Sequence, residues 1–389
     1  MSAGSLARAF GLSQDQTGPL FNAARVILEA GELTLRAQRL LEALRTALGL
    51  EVLPARSLAP ESDLAAAFPQ RSGGTINKND SCLIKTPRRA LSAVTWHESF
   101  RSDAEGQSTR MTRARTKAPE GQFLPRSTWH GSFPEASSRQ VLADALVIAA
   151  CVDEEVTLAR ELATARFADA LEVPSGWVRL VGSLRRRSTF AIKRQLVRRS
   201  PDARRLFSRT WEEEGVLGVL RAVQFMAGLY RDAALAARFH ALAQLETGSF
   251  GRTFHDHIQT RGLSFPGEKG GIPERMIHHD LMHVLNEYGT DPSGECEIAG
   301  FYAGFSGPEG FTFIMIALTT FQLGLAVSPA AVTPARGAFD PERVLAAFLR
   351  GRRLTVDVMG RWDYWSLLPL PLSEAREQLG LLSDTVHPA

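Results

Sequence analysis

The chain is poor in cysteine. Cys82, Cys151 and Cys296 are its only three, and they show no Cys-x-x-Cys spacing. That excludes a disulfide framework and points to a reducing compartment. An excess of charge of one sign is also missing. A formal net charge of +3 is too small to select a class of partner. No sustained apolar segment follows Met1-Ser2-Ala3-Gly4-Ser5-Leu6, so no secretory signal is expected. The apolar run Phe311–Val327 is seventeen residues long, at the lower edge of a membrane span. Thr312, Thr319, Thr320 and Gln322 interrupt it, so a buried helix is expected there instead. Together these absences predict a cytoplasmic protein, with a peripheral position on the inner face of the membrane still open.

What is present reads as helical. Apolar content of 44% and charged content of 22% are those of a globular protein, and 389 residues allow two or three domains. Residues 1–53 form an N-terminal helical segment. Ala24, Ile27 and Leu28 begin one apolar face, Gly31 interrupts it, and Leu40, Leu41, Leu44 and Leu48 resume it at helical spacing. Gly49 stands at the C-cap position and Pro54 beyond it. Residues 54–138 lose periodicity in favour of Pro, Ser, Gly, Thr and Arg, and predict a mostly disordered linker. Within it, Thr95-Trp96-His97-Glu98-Ser99-Phe100 echoes Thr128-Trp129-His130-Gly131-Ser132-Phe133, an echo we read as coincidence. Residues 139–200 form a second helical module. Val141–Cys151 is its first helix, and Asp153-Glu154-Glu155-Val156-Thr157 begins another that runs to about Leu171 and stops at Pro174. Residues 201–389 make a C-terminal helical domain, with further helices over about 203–245. The expected class is all-α and multi-helical.

Basic residues cluster between Arg185 and Arg209: Arg185, Arg186, Arg187, Lys193, Arg194, Arg198, Arg199, Arg204, Arg205 and Arg209 face the single acid Asp202. Leu184, Phe190, Ile192, Leu196 and Val197 are interleaved with them. The mixture suits an anionic membrane surface. Phosphate would attract it equally, but no nucleic-acid reading motif accompanies it, and nucleic acid is not the expected partner. A basic face paired with acids elsewhere in the fold is the plain structural alternative.

The most informative pattern is His279-Asp280-Leu281-Met282-His283, followed after eleven residues by Glu295. His279 and His283 are four apart, so on a helix both imidazoles leave the same face. The turn Gly289-Thr290-Asp291-Pro292-Ser293-Gly294 can return Glu295 to them from the next element. Three of the nine histidines, His278, His279 and His283, lie within these few positions. Two imidazoles and a carboxylate describe a reactive metal site better than a closed structural one. His278 points about 100° away from His279 on the same helix and cannot easily share the ion. Glu287 lies four beyond His283 and reads as a spare ligand or a solvated helix carboxylate. The pattern differs from the zincin His-Glu-x-x-His, whose Glu is a general base. Asp280 stands in that place with a shorter arm, which argues against peptidase chemistry and suits a carboxylate that orients a ligand or exchanges protons. The preceding loop Pro266-Gly267-Glu268-Lys269-Gly270-Gly271-Ile272-Pro273 breaks the helices and predicts Glu274 at the start of the metal helix.

The same residues resemble the ubiquinone (coenzyme Q) biosynthesis proteins of the fourth-component type, whose signature is His-Asp-x-x-His, eleven residues, then Glu. Thr247-Gly248-Ser249-Phe250-Gly251-Arg252 resembles that family's Gly-Ser-Leu-Gly-Arg segment, and Ala299-Gly300-Phe301 the opening of its next helix. Tyr364-Trp365 and Pro371-Leu372-Ser373-Glu374-Ala375-Arg376 resemble its aromatic-rich end. The resemblance spans about residues 240–389. It implies an all-helical fold and His279, Asp280, His283 and Glu295 as the site of a divalent metal, usually taken as zinc. Spacing alone favours His279, His283 and Glu295 as direct ligands and leaves Asp280 open between ligand and catalytic proton carrier. The resemblance also implies a prenylated quinone precursor as partner, with removal of the C1 carboxyl and hydroxylation there, or a scaffold role among other quinone biosynthesis proteins. A metallohydrolase is the third reading, and a homo-oligomer is compatible with all of them. Zinc has no redox chemistry of its own. A two-His, one-carboxylate set also serves non-haem iron, so an oxidative step leaves iron open. The Phe311–Val327 helix would wall a prenyl tail, whose burial is worth ~0.8 kcal/mol per CH₂, or serve simply as core. Finally, the helix, acidic turn, helix pattern of 139–173 resembles the tellurite-resistance TerB-like module, whose acidic turns can bind cations. Glu29-Ala30-Gly31-Glu32-Leu33-Thr34 is a fainter version.

Overall fold

Helices follow wherever the sequence sustains a 3.6-residue apolar period. In the computed structural model the described residues are 4–10, 12–30, 33–50, 126–174, 176–199, 231–327, 333–360 and 362–381. Among them the chain is all-α, with no strand and only two isolated bridges, Ser249 to Pro371 and Leu323 to Arg336. In chain order the helices are α1 (Ser5–Phe10), α2 (Gln14–Glu29), α3 (Leu35–Leu48), α4 (Arg126–Ser132), α5 (Ala136–Ala150), α6 (Leu158–Leu171), α7 (Gly176–Arg185) and α8 (Thr189–Arg199). The C-terminal half adds α9 (Ala233–His240), α10 (Phe250–Thr260), α11 (His278–Asn286), α12 (Pro292–Phe305), α13 (Phe311–Ala317), α14 (Pro341–Gly351), α15 (Tyr364–Leu367) and α16 (Leu372–Gln378).

Local chemistry sets the ends of these helices. Thr34, Thr157, Asp232, Ser249, Asp291 and Asp340 each accept a backbone N–H from the first turn of the helix they precede. Gly49 closes α3 in the left-handed region at φ 73°, as its position predicts.

The N-terminal helices and the C-terminal half share a core. Leu6, Ala47 and Leu48 pack with Leu345, Phe348 and Leu349 of α14, and the Arg36 guanidinium donates to the Gly337 carbonyl. Segments that composition separates are therefore joined by packing. A larger core gathers around α10, α11 and α12, with Phe239, Phe250, Phe254, Phe265, Leu281 and Phe301 fully enclosed. Helices α12 and α14 cross closely because glycines face each other's backbone. A Cβ at Gly304 would lie 2.1 Å from the Phe348 carbonyl oxygen, and one at Gly351 2.1 Å from that of Phe301. Since α12 carries Glu295, this crossing helps fix where the acid stands.

Four expectations need correction. The linker was expected to run to residue 138, but residues 126–138 are structured. Trp129 and Phe133, one helical turn apart on and just after α4, are buried at 1% exposure and stack against each other, with Phe167 edge-on to Trp129. Tertiary burial of two aromatics orders a segment that carries no periodic face. Residues 54–125 lie outside the described residues, as do the first copy of the Thr-Trp-His echo, Arg204, Arg205, Arg209 and most of 203–245. The acids Asp153, Glu154 and Glu155 do not begin a helix. They form the turn before α6, which is capped by Thr157. Asp153 pairs with the buried Arg160 at 2.6 Å and accepts the Thr34 hydroxyl. Glu274 lies not on the metal helix but in a 3-10 turn, Glu274–Met276, ahead of it. Lastly, the Phe311–Val327 helix ends early. Regular α-helix stops at Ala317, a π-turn spans Leu318–Gln322, and Leu323 leaves to bridge Arg336. The Gln322 amide explains the break, because it is fully buried, donates to the Val152 carbonyl and accepts the Phe339 N–H. No helix among the described residues is long and apolar enough to cross a membrane.

Candidate metal centre

The chain builds α11 by turning its apolar residues inward. Leu281, Met282, Val284 and Leu285 are buried in the large core, which leaves His279 and His283 together on the flank. Glu287 ends the helix in the left-handed region, at φ 59°. The turn that follows is tight, since a Cβ on Gly294 would meet the Gly289 carbonyl oxygen at 1.9 Å. Asp291 then caps α12, Pro292 occupies its first turn, and Glu295 follows in that turn. There the helix dipole favours a carboxylate. The far end of α11 is tied down by Arg376, whose guanidinium donates to the Leu285 and Val284 carbonyls.

These elements bring His279, His283 and Glu295 together. One ligand atom from each lies within 4.8 Å of the others. His279 Nε2 is 3.4 Å from Glu295 Oε2, and His283 Nε2 is 3.4 Å from Glu295 Oε1. Two donors each ~2.1 Å from a tetrahedral ion lie ~3.4 Å apart, so the spacing suits a shared cation.

The remaining ring nitrogens are committed elsewhere. His279 Nδ1 faces Asp280 Oδ1 at 3.1 Å, and His283 Nδ1 faces the Tyr288 carbonyl at 3.3 Å. Both partners can only accept, so both Nδ1 atoms carry the hydrogen. In the neutral rings each Nε2 then presents its lone pair toward Glu295, the orientation that metal-binding histidines take from such acceptors. His283 Nε2 is buried and has no hydrogen-bond partner, a costly arrangement that a cation would relieve. The donor set therefore fits a divalent metal.

Asp280 is thus placed beside His279 rather than within the converging trio. Glu287 points away, its carboxylate mostly exposed and 2.9 Å from Arg376. His278 is directed elsewhere, as its helical angle requires, and its Nδ1 is 2.7 Å from the Tyr302 hydroxyl. The His283 side chain is 1% exposed, whereas His279 and Glu295 are 35% and 24% exposed. The site is sealed on the His283 side and open on the other.

Two nearby residues were not anticipated. Tyr302 stacks over His279, with ring centroids 6.4 Å apart and planes 13° apart. It lies seven residues after Glu295, two turns along the same helix, so the spacing did contain that signal. His257 on α10 lies behind His283, ring centroids 6.3 Å apart, and its Nε2 is also buried without a partner. No sequence spacing links it to the motif. Together with Thr253, Arg261, His283 and Tyr288 it lines a cleft of about 300 Å³. The other segments noted in the sequence act as supports. Ser249 caps α10, and the Gly251 and Phe250 N–H groups hold the Leu368 and Leu370 carbonyls. The Tyr364 hydroxyl and Trp365 Nε1 both donate to Glu274 at the approach to α11.

Charge is balanced within the trio. Burial disfavours the His279 imidazolium, but its hydrogen bonds to Asp280 and Glu295 outweigh that and push it up to about 10. Burial would raise the Glu295 carboxyl, yet the facing His279 and His283 bring it down to about 2. Burial, reinforced by His279, takes His278 down to about 4. Without metal, then, His279 holds a proton at neutral pH. A cation must displace it, so affinity should rise about tenfold per pH unit toward pH 10, the equivalent of ~1.4 kcal/mol per unit. Calorimetry of metal addition near neutral pH, in buffers of different ionisation enthalpy, should record release of about one proton per ion. The same pairing stabilises the metal-free fold fully below pH 6.5, the ordinary histidine value, and is lost as pH rises through about 10.

No family model, no curated protein and no solved structure matches this chain.

Proposed function

We propose that the chain is a metal-dependent protein of ubiquinone or related prenylquinone biosynthesis, acting at C1 of the precursor's head group with dioxygen as co-substrate: the carboxyl leaves as carbon dioxide, one oxygen atom enters at C1, and the other leaves as water as the ring passes to the quinone level. The single observation carrying this reading is the convergence of His279 Nε2, His283 Nε2 and a Glu295 oxygen, with both Nδ1 atoms held by acceptors. It gives physical form to the His-Asp-x-x-His…Glu pattern on which the family resemblance rests. His279, His283 and Glu295 would hold the ion, zinc or iron. When bound, it supplies Lewis acidity toward an oxygen of the head group.

The chain's own residues do the rest. Asp280 keeps the His279 ring oriented and can share its proton. Tyr302 covers one face of His279, and His279 and Glu295 are the part of the trio open to solvent, the side from which a head group would approach. The packing of α13 suits a wall for the prenyl tail, since Phe313 lies against Tyr302 at 5.1 Å between centroids. Hydrolysis is less well supported, because the Asp280 carboxylate is engaged with His279 and not held free as a base.

Mass-spectrometric quinone profiling of a strain lacking the protein tests the reading. The expected result is accumulation of a carboxylated prenylated precursor, cleared by the wild-type chain and not by His279→Ala. An unchanged quinone profile in the deletion removes the pathway. Full rescue by Glu295→Gln would replace catalysis with a lipid-binding scaffold role.

A further inference from the structure

The face of α8 opposite its buried side carries features that the metal site does not use. Ile192 and Leu196 turn inward and are buried, anchoring the helix. The outward positions follow at three- and four-residue steps: Phe190, Lys193, Arg194, Val197 and Arg198, all exposed. Phe190 is 80% and Val197 62% exposed, an aromatic and a branched aliphatic left in water one above the other. Single exposed apolar residues need no explanation, but two aligned along one helix and bracketed by cations do.

Much of the basic cluster is spent inside the fold. Arg185 and Arg186 pair with the nearly buried Glu161, Arg187 donates to the Leu323 carbonyl, and Arg199 lies over the Trp177 ring. These arginines answer to the plain structural alternative of a basic face paired internally. Lys193 and Arg198 do not, since neither has an acidic partner among the described residues. The outward face of α8 is thus apolar at its centre and positive at its flanks.

We infer that this face docks the protein on an anionic membrane surface, with Phe190 and Val197 entering the headgroup boundary and Lys193 and Arg198 meeting the lipid charge. A helix lying in the interface plane needs this division of faces. A nucleic-acid duplex would use the cations but leave Phe190 and Val197 without a role, because its bases are stacked inside and its phosphate backbone offers them nothing apolar. The docking helix is joined to the apolar helix beside the metal centre, as the Thr312 hydroxyl of α13 donates to the Arg199 carbonyl at the end of α8. A docked α8 would therefore hold α13 near the bilayer from which a prenylated molecule must come. The docking itself rests only on α8 and stands or falls apart from the metal reading.

Sedimentation of the full chain with phosphatidylcholine vesicles, with and without phosphatidylserine, tests the inference. Binding is expected only with phosphatidylserine and should weaken as salt is raised. Neutralising Lys193 and Arg198 to Gln should weaken it about five-fold each, the ~1 kcal/mol that one basic residue contributes near such a surface. Phe190→Ser with Val197→Ser should reduce binding while leaving its salt dependence in place. These exposed positions should leave the circular dichroism and the metal content unchanged. Failure of the wild type to pellet with anionic vesicles overturns the inference, as does equal binding to neutral ones. Retention by an RNA or DNA duplex that K193Q/R198Q abolishes and F190S/V197S does not would assign the face to nucleic acid instead.

Discussion

Replacing His283 by alanine is expected to abolish stoichiometric metal binding. The imidazole supplies one of three converging donors and is the most enclosed of them, at 1% side-chain exposure. Removing a group that merely orients a ligand costs about 10–100-fold in metal affinity, so loss of a ligand should exceed about 100-fold. Asp280→Asn, which weakens the hold on His279 Nδ1 without touching the trio, should fall within that 10–100-fold range. Glu295→Gln keeps the shape of the site and removes its charge, and should resemble the alanine variant. The check is metal analysis of protein purified without added ions, followed by melting with and without a chelator. A wild-type protein whose ion is present at about 100 times its dissociation constant should lose ~2.7 kcal/mol on chelation. The His283→Ala and Glu295→Gln variants should show no chelator effect. A wild-type chain carrying no metal, and unmoved by zinc or iron, would remove the site.

The parts of this centre that were legible in the sequence are those built by local rules. Four-residue spacing on a helix, a capped turn and a helix-opening carboxylate act over less than two dozen positions, and the structure brings His279, His283 and Glu295 together through them. Tyr302 obeys the same periodicity two turns beyond Glu295 and could have been read. His257 could not, because it reaches His283 only through the packing of α10 on α11, a tertiary fact with no spacing rule behind it. Elsewhere the errors share one cause. Trp129 and Phe133 look like loop residues until Phe167 is placed beside them. The apolar run from Phe311 looks like one helix until Gln322 finds its partners at Val152 and Phe339. In each case a long-range contact decided what the local pattern left open.

The acidic turn shows the same effect, and it yields the second large prediction: Arg160→Ala should destabilise the fold by ~3–5 kcal/mol, the range seen when one partner of a buried ion pair is removed. A turn reading Asp153-Glu154-Glu155 invites a cation. Here the cation is a guanidinium: Arg160 is 1% exposed and lies 2.6 Å from Asp153, whose side chain is itself only 13% exposed. The same guanidinium donates to the Leu28 carbonyl at the end of α2, and Thr34, at the start of α3, bonds Asp153 from the other side. Arg36 of α3 lies 3.8 Å from Glu154. Truncating Arg160 would strand the Asp153 charge and loosen α2 from α6 at one stroke. Neutralising both ends, Arg160→Met with Asp153→Asn, should recover more than half of the loss, because it leaves no charge unpaired. Denaturant midpoints for the three proteins measure this. Calcium or magnesium should leave the wild-type midpoint unmoved, since the turn's charge is already answered from within the chain. A midpoint that rises with calcium, and stops rising in Asp153→Asn, would show instead that the turn prefers a free ion to its own arginine.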